Sequence, residues 1–180
     1  MMVEIIRHPT DEDWERCKLL AINTVGKRLV VNAPDGEWKH KMLRARHSPI
    51  RTLQFTIRIS GLKTWVATHL VRHKHLEPYV TSQRNDRQDR YDRDEAPQSA
   101  PVTMILDLNA EELMTVANKR LCGMAADETR EVVRDVCEAV IEVNPEFAPF
   151  LVPFCIEYGC HEFIPCGRAS EFLPRNGRCD

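Results

Sequence analysis

The chain has 180 residues, of which 43% are hydrophobic and 29% charged, and its formal net charge is -2. A chain of this length and composition suits one domain with a hydrophobic core of its own. The near-neutral charge argues against a protein that coats nucleic acid, although a local basic patch is still able to hold a nucleotide or a short strand. No apolar run approaches membrane-spanning length and no basic leader precedes one, so we expect a cytosolic protein without a membrane partner.

The N-terminal quarter predicts one strand and two helices. Residues Val3 to Arg7 form a short β candidate. Thr10 then offers an N-cap, followed by an acidic first turn, for a helix that runs to about Val25. After a break at a Pro-Asp-Gly sequence, the pattern predicts a basic helix over Glu37–Arg46.

The clearest strand in the sequence follows this second helix. Apolar and polar residues alternate here with the period of a half-buried strand, the apolar ones being Leu53, Phe55, Ile57 and Ile59. We expect Gly61 to end the strand and Thr64 to cap a helix that runs to about His75, before Pro78.

Four residues of that predicted helix fall on one face and suggest the wall of a binding site. They are Trp65, His69, Arg72 and His73. The alternative is a surface helix whose histidines are satisfied by local partners.

The C-terminal half predicts one more strand and two more helices. Residues 79–82 are expected to be extended, and Pro97 and Pro101 mark an irregular connection to a strand over Thr103–Leu108. Asn109 with Glu112 resembles a capping box and starts a helix through Cys122.

A last helix is expected from Asp127 to about Val143, with a valine-rich core stripe. Together these elements predict an α/β (α+β) fold in which a small mixed or antiparallel sheet is backed by helices. We expect one domain over residues 1–147 and a cysteine-rich tail over residues 148–180.

Seven cysteines in a chain without an export signal indicate reduced thiols rather than disulfides. Cys17, Cys122 and Cys137 lie on apolar helical stripes and are predicted core thiols.

The tail holds the other cysteines, and its C-x4-C and C-x5-C spacings differ from paired C-x2-C knuckles. Two interpretations stay open, which are buried free thiols and a zinc site. The zinc candidates are Cys155, Cys160, His161 and Cys166.

The densest cluster of charge lies between Val71 and Asp94, where basic and acidic residues are mixed. Such a cluster in a near-neutral chain predicts an anion site, with a solvated loop of alternating charges as the alternative. The basic residues are Arg72, Lys74, Arg84, Arg87, Arg90 and Arg93.

Part of this cluster resembles a known signature. Arg72-His73-Lys74, followed after seven residues by Ser82 and then by Arg84, resembles the RHR-x7-S-x-R signature of flavin-dependent thymidylate synthases. Lysine stands where the third basic residue of the signature is usually arginine, and Tyr79-Val80 replaces an Asn-Glu pair of the family.

The resemblance extends from about Val3 to Val143. His47-Ser48-Pro49-Ile50 before the strand resembles the family's segment near the flavin. The family's NLR, LR and E-I-R helical region is matched in order and spacing by Asn109, Arg120, Glu128 and Arg130.

Several positions depart from the family's pattern. Arg51 stands where the family has a glutamate, and Glu111 stands where it has a flavin-contacting arginine. His69 replaces a glutamine, and the connection from Arg84 to Asn109 is shorter than usual. We hypothesise that the clustered arginines after residue 84 bind the substrate in place of residues that the longer connection of the family supplies.

The resemblance implies an enzyme for thymidylate formation and hence for dTTP biosynthesis. In the family, FAD sits between the subunits of a homotetramer, and dUMP is methylated at C5 with carbon from methylenetetrahydrofolate and hydride from the reduced flavin, which NADPH regenerates. The cofactor supplies the reactivity, and the protein supplies binding, orientation and charge.

The same resemblance assigns roles to particular residues. The flavin-binding candidates are Arg72, His73, Lys74, Ser48 and Asn109. The candidates for the pyrimidine nucleotide are His69, Ser82, Arg84 and Arg120. Ser82 and Arg120 are expected to position the nucleotide, and no side chain is expected to act as nucleophile.

Two other functions remain open on the sequence. One is C5 modification of a different pyrimidine nucleotide. The other is a non-catalytic flavin- or nucleotide-binding protein, or a zinc-stabilised nucleic-acid module on the same frame that uses Arg84 to Arg93 for phosphate.

Overall fold

The computed structural model of the chain describes residues 1–27, 32–87 and 92–171. Four strands form one antiparallel sheet, in the spatial order β1-β2-β4-β3. The strands are β1 (Met2–Arg7), β2 (Gln54–Lys63), β3 (Leu76–Val80) and β4 (Pro101–Asn109). The sheet confirms the predicted α/β fold class.

Helices α1 to α6 cover this sheet and its ends. They are α1 (Asp11–Thr24), α2 (Gly36–Arg44), α3 (Thr64–Leu70), α4 (Ala110–Arg120), α5 (Asp127–Val143) and α6 (Phe154–Tyr158). Short 3-10 turns lie at Ser48–Thr52, Pro145–Phe147 and Arg168–Glu171. Within the described ranges, no helix is long and apolar enough to cross a membrane.

One face of the sheet is apolar because alternate residues of β2 and β4 meet in register. Phe55 pairs with Leu108 and Ile57 with Leu106, and all four side chains are buried. Helices α1, α3, α4 and α5 pack into the same core. The chain after residue 147 stays against this core through Phe150 and Leu151.

The caps predicted from the sequence are present at α1 and α4. Thr10 and Asp13 form a reciprocal capping box at α1. At α4, the Asn109 side chain accepts a hydrogen bond from the backbone N–H of Glu112 at 3.0 Å. The Glu112 side chain does not complete a capping box, because it turns inward to His73.

Strand β2 is longer than predicted. The expectation that Gly61 ends it is wrong, because β2 continues to Lys63 through an irregularity between Ser60 and Leu62 in its pairing with β4. Gly61 has φ +76° there. A bulge inserts one residue without breaking the ladder, and glycine adopts the left-handed conformation that the bulge requires.

Helix α3 is shorter than predicted, since it ends at Leu70 and not near His75. Thr64 does not cap it either, because its hydroxyl donates to the carbonyl of Ala100 at 2.9 Å. The chain turns after Leu70, and residues 76–80 pair with β4 as strand β3. The hydrogen bonds of β3 to β4 are more favourable than a longer α3, which Pro78 would in any case have ended.

The early end of α3 corrects the predicted four-residue helical face. Trp65 and His69 lie on α3, with their rings 5.3 Å apart, whereas Arg72 and His73 follow it in the turn. The predicted irregular connection is also shorter, because Pro101 begins β4. Helix α2 starts at Gly36 and ends at Arg44, two residues before the predicted end.

Substitution of Gly61 tests the bulge. We expect Gly61→Ala to lower the free energy of unfolding by about 1–2 kcal/mol, because an L side chain is strained at this φ. Equilibrium urea denaturation measures the change.

Gly36→Ala is the matched control, because Gly36 begins α2 and an added Cβ meets nothing within 4 Å. Alanine is the better helix former, so this variant should be as stable as the parent or more so. Equal stability of Gly61→Ala and the parent would show that the bulge does not depend on glycine.

Candidate functional site

Two adjoining cavities lie beside α4, below the turn that joins α3 to β3. The first, here called the basic cavity, has a volume of about 310 Å³ and is lined by Arg72, His73, Lys74, His75, Glu112, Thr115, Lys119 and Arg120. The second, here called the Arg51 cavity, has a volume of about 320 Å³ and is lined by Arg51, His75, Asn109, Glu111, Glu112 and Thr115. The two cavities share three lining residues and therefore adjoin along α4.

The walls come from elements that are distant in sequence. The Arg72–His75 turn exists because α3 stops at Leu70, and β3 then anchors its far end on β4. The facing wall is one side of α4, where Glu112, Thr115 and Lys119 recur at helical spacing.

The basic cavity carries an excess of positive charge. Two arginines and two lysines line it with a single carboxylate, that of Glu112. Burial, and then the neighbouring charge of Arg72, lower the pKa of Arg120 from its usual value. Arginine remains charged in proteins. Arg72 and Arg120 therefore repel one another in a partly desolvated cavity, and a bound anion would relieve this repulsion.

A chain of hydrogen bonds holds Arg120 in place. Its Nε donates to Nε2 of His73 at 3.0 Å, and its Nη2 donates to the backbone carbonyl of His69 at 2.7 Å. On the other side of the imidazole, Nδ1 of His73 lies 3.3 Å from Oε1 of Glu112. Both His73 and Glu112 are buried.

The structure therefore brings together four residues that the resemblance placed in the site. Arg72, His73, Lys74 and Arg120 all line the basic cavity. Asn109 lines the Arg51 cavity, but its side-chain oxygen already caps α4.

The other predicted site residues lie elsewhere in the chain. Ser48 lines a separate cavity of about 460 Å³ with Trp38 and residues of α1 and α2. The His69 ring points to Thr129, with 2.9 Å between Nδ1 and Oγ1, and only the His69 backbone carbonyl reaches Arg120.

Ser82 and Arg84 follow β3 and line neither cavity. The Ser82 hydroxyl accepts a hydrogen bond from the Arg84 backbone N–H at 3.3 Å. The Arg84 guanidinium forms a two-pronged pair with Asp86, at 2.8 and 2.6 Å. Of the clustered arginines, Arg90 lies outside the described residues.

Three residues on one face of α4 line the basic cavity but are not identified by the sequence as ligand contacts. They are Glu112, Thr115 and Lys119. The signal that would have found them is their shared helical face, since polar groups at i, i+3 and i+7 of a buried helix need an explanation. Glu112 was interpreted as a cap, which hid this pattern.

Two departures from the family's pattern contact one another. Nε of Arg51 donates to Oε2 of Glu111, and Nη2 of Arg51 lies 3.5 Å from Oε1. The resemblance places glutamate at the first position and arginine at the second. The chain therefore forms an ion pair across the Arg51 cavity between two positions at which the resemblance implies the opposite charges.

The tail adds a third cavity next to the basic one. Its volume is about 280 Å³, it is lined partly by Phe154 and Tyr158 of α6, and it shares Thr115 and Lys119 with the basic cavity. Arg46 reaches this cavity and pairs with Glu157 at 2.9 Å.

The zinc candidates do not assemble into a ligand set. Over residues 1–27, 32–87 and 92–171, no three His, Cys, Asp or Glu side chains are grouped to hold a metal ion. Cys155 is half-buried, whereas Cys160, His161 and Cys166 are exposed. Cys179 lies outside the described residues.

The three predicted core thiols behave differently. Cys17 and Cys137 are buried in the core. The prediction for Cys122 is wrong, because α4 ends two residues earlier, at Arg120, and this thiol is half-buried, with its Sγ 3.8 Å from Glu162 Oε1.

The burial of thiols predicts their reactivity. Desolvation raises the pKa of Cys17 to about 11 and that of Cys137 to about 12. Since the thiolate is the nucleophile, neither thiol should react with iodoacetamide at pH 8 in the native protein. Exposed Cys160 and Cys166 should be labelled.

Mass spectrometry of peptides from the labelled protein measures this difference. The same reaction in urea is the control and should label Cys17 and Cys137. Native labelling of Cys17 as fast as that of Cys160 would contradict the buried position.

Comparisons with known proteins identify the fold. No protein-family model matches the chain, and no curated protein matches it at a significant level. Solved structures do match. Two structures of thymidylate synthase X (ThyX) from Helicobacter pylori with FAD and dUMP have TM-scores of 0.62 and 0.61 at 14% and 15% identity, and each match covers 77% of this chain and 93% of that one.

A UMP/dUMP methylase, PolB, from Streptomyces cacaoi with bound 5-Br dUMP has a TM-score of 0.63 at 15% identity, over 84% of this chain and 96% of that one. The fold implied by the sequence resemblance is thereby confirmed. The chain has the fold of the flavin-dependent thymidylate synthases.

Proposed function

We propose that this chain acts in the cytoplasm as a flavin-dependent thymidylate synthase. In the balanced reaction, dUMP, methylenetetrahydrofolate and NADPH with one proton give dTMP, tetrahydrofolate and NADP⁺. The proposal rests on one observation, which is that Arg72, Lys74, Lys119 and a fixed Arg120 share one cavity that adjoins a second. The fold is that of ThyX structures with FAD and dUMP.

The charge of the basic cavity fits a phosphorylated ligand. A guanidinium offers parallel N–H donors to phosphate or to a pyrimidine carbonyl, and it does so most strongly where water is scarce. We assign Arg120 to the pyrimidine nucleotide. We assign the Arg72-His73-Lys74 turn to FAD, whose phosphates and polar ring edge need cations and donors.

The described lining of the cavities offers no thiol or serine hydroxyl as a nucleophile, which suits a reaction carried by a cofactor. Among the described residues that line them there is no cysteine or serine. The one hydroxyl, that of Thr115, donates to the backbone carbonyl of Glu111 at 2.9 Å. Bound FAD, once reduced by NADPH, would supply the hydride that converts the transferred carbon to a methyl group. The residues of the chain bind and orient the reactants and exclude water.

We infer that the site is completed by neighbouring subunits of a homotetramer. In one protomer, Ser48 lies in a different cavity, and Arg84 is occupied by Asp86. Their proposed roles toward flavin and nucleotide require either a neighbouring subunit or an exchange of the Asp86 partner for phosphate. Guanidinium groups make the same fork-shaped contact with either anion.

A second candidate is methylation of a different pyrimidine nucleotide, such as UMP. The fold match to the UMP/dUMP methylase favours it, together with His69 and Arg51 at positions where the family has other residues. Parallel assays with dUMP and UMP, each with methylenetetrahydrofolate and NADPH, separate the two. Conversion of dUMP alone supports thymidylate synthesis, and conversion of UMP alone supports the second candidate.

A nucleotide-binding protein without catalysis is distinguished by the flavin. We expect the purified protein to show a flavin absorption spectrum, and methyl transfer to depend on it. A protein that binds dUMP but neither holds flavin nor forms dTMP would refute the enzymatic proposal.

Removal of the Arg120 side chain tests the nucleotide site. We expect Arg120→Ala to weaken dUMP binding by about 1.5–3 kcal/mol, because a hydrogen bond to a charged group is lost. Isothermal titration calorimetry measures the affinity, and circular dichroism checks the fold.

Arg134→Ala is the matched control. Arg134 is an exposed arginine on α5 that lines neither site cavity, so its loss should leave dUMP affinity unchanged. Equal affinity of Arg120→Ala and the parent would remove Arg120 from the nucleotide site.

The exchanged ion pair predicts a rescue. Arg51→Glu or Glu111→Arg alone sets like charges side by side across the Arg51 cavity, so each should weaken FAD binding. The double variant restores an ion pair with the charges in the family's order, and it should recover FAD affinity. A coupling of up to about 1 kcal/mol is expected for a pair this exposed.

Flavin fluorescence titration measures all four proteins. If the double variant binds FAD no better than the weaker single variant, the two residues are not coupled in cofactor binding.

A further inference from the structure

We propose that Glu112 is a positioning residue, which fixes the tautomer of the His73 ring and through it the orientation of the Arg120 guanidinium. The assignment of a ligand to Arg120 rests on the proposed function. The tautomer itself does not, because it follows from contacts within the protein.

Glu112 determines which nitrogen of His73 carries hydrogen. Its Oε1 lies 3.3 Å from Nδ1, and both side chains are buried, with 6% and 4% of their side-chain surface exposed. An ionised carboxylate only accepts hydrogen bonds. Burial without a partner would be costly for it, so its negative charge favours hydrogen on the facing Nδ1 of His73.

Arg120 imposes the same requirement from the other side of the ring. Its Nε–H only donates, and it points at Nε2 of His73 at 3.0 Å. Nε2 must therefore accept and carry no hydrogen. Two partners on opposite sides thus require the same state of His73, which is the neutral ring with hydrogen on Nδ1.

The consequence falls on the guanidinium. The His73 ring takes Nε–H and the His69 carbonyl takes one Nη2 hydrogen, so the plane of the group is set at two points. No described hydrogen bond uses Nη1. Its two hydrogens and one of Nη2 are left for a ligand, which makes Arg120 a preorganised donor.

Glu112 also limits the electrostatic cost of gathering cations. Among the described residues it is the single carboxylate that lines the basic cavity, whereas the neighbouring Glu111 pairs with Arg51. Its charge reaches Arg120 through the polarised His73 ring and leaves the donors of Arg120 unblocked. A carboxylate bound directly to Arg120, as Asp86 is to Arg84, would compete with an anionic ligand.

Two substitutions of Glu112 separate positioning from filling of space. The oxygen of the glutamine amide still accepts from Nδ1–H, so we expect Glu112→Gln to bind dUMP within about threefold of the parent. Leucine accepts nothing, so Glu112→Leu should weaken dUMP binding about tenfold or more, as the loss of a buried charged partner does. Glu131→Leu, at an exposed glutamate on α5, is the control and should not change dUMP affinity.

Nitrogen NMR of ¹⁵N-histidine protein reads the tautomer directly, with His73→Asn used to assign the signals. We expect the Nδ1–H tautomer in the parent and in Glu112→Gln. In Glu112→Leu only Arg120 still favours it, so we expect a mixture of the Nδ1–H and Nε2–H tautomers. Circular dichroism and urea denaturation check each fold.

The parent measurement needs no variant, so a misfolded Glu112→Leu protein leaves the proposal testable. An Nε2–H or doubly protonated His73 in the parent would overturn it, as would an unchanged tautomer and dUMP affinity in a folded Glu112→Leu protein. If dUMP does not bind the parent, the proposed function fails. The role of Glu112 is then still decided by the tautomer of His73 and by the affinity for inorganic phosphate, measured in place of dUMP.

Discussion

The site depends on the pairing of the short strand β3 with β4. This pairing pulls the chain back toward the sheet after α3, and the turn that results carries Arg72, His73 and Lys74 over the side of α4. If α3 had continued as a helix, these side chains would have been spread along its surface. Antiparallel pairing satisfies the backbone groups of β3 and buries Leu76. The strand therefore supplies both the stability of the turn and its position.

Helix α4 forms the opposite wall. Some side chains of its polar face hold neighbouring residues in place, and others are left to contact a ligand. Glu112 turns inward and holds His73, which in turn holds Arg120. Thr115 bonds to its own helix. The buried carboxylate of Glu112 offsets part of the positive charge of the cavity. The imidazole of His73 lies between this carboxylate and Arg120, so the outer N–H groups of Arg120 are left for a ligand. Preorganisation of this kind lowers the cost of ordering an arginine when an anion binds.

The departures from the family's pattern are not independent of one another. Arg51 and Glu111 are far apart in sequence and each contradicts the pattern, yet they form one ion pair. His69 replaces a glutamine and still contributes, through its backbone carbonyl, to the orientation of Arg120. These pairings are consistent with a divergent chain that retains the fold at 14–15% identity. In both cases a residue that departs from the family's pattern still contacts another residue that lines one of the two cavities.

The sequence by itself determined the fold class, most elements and the location of the basic signature. Strand β2 and helices α1, α4 and α5 were predictable because period, caps and breakers act over a few residues, and Arg72-His73-Lys74 and Arg120 were found through motif spacing. Only the tertiary structure decided where α3 ends, that Glu112 faces His73, that Arg51 meets Glu111, and that Ser48 and Arg84 lie outside the basic cavity. The physical reason is the range of the interactions, since His73 and Arg120 are 47 residues apart and meet only after the sheet has formed.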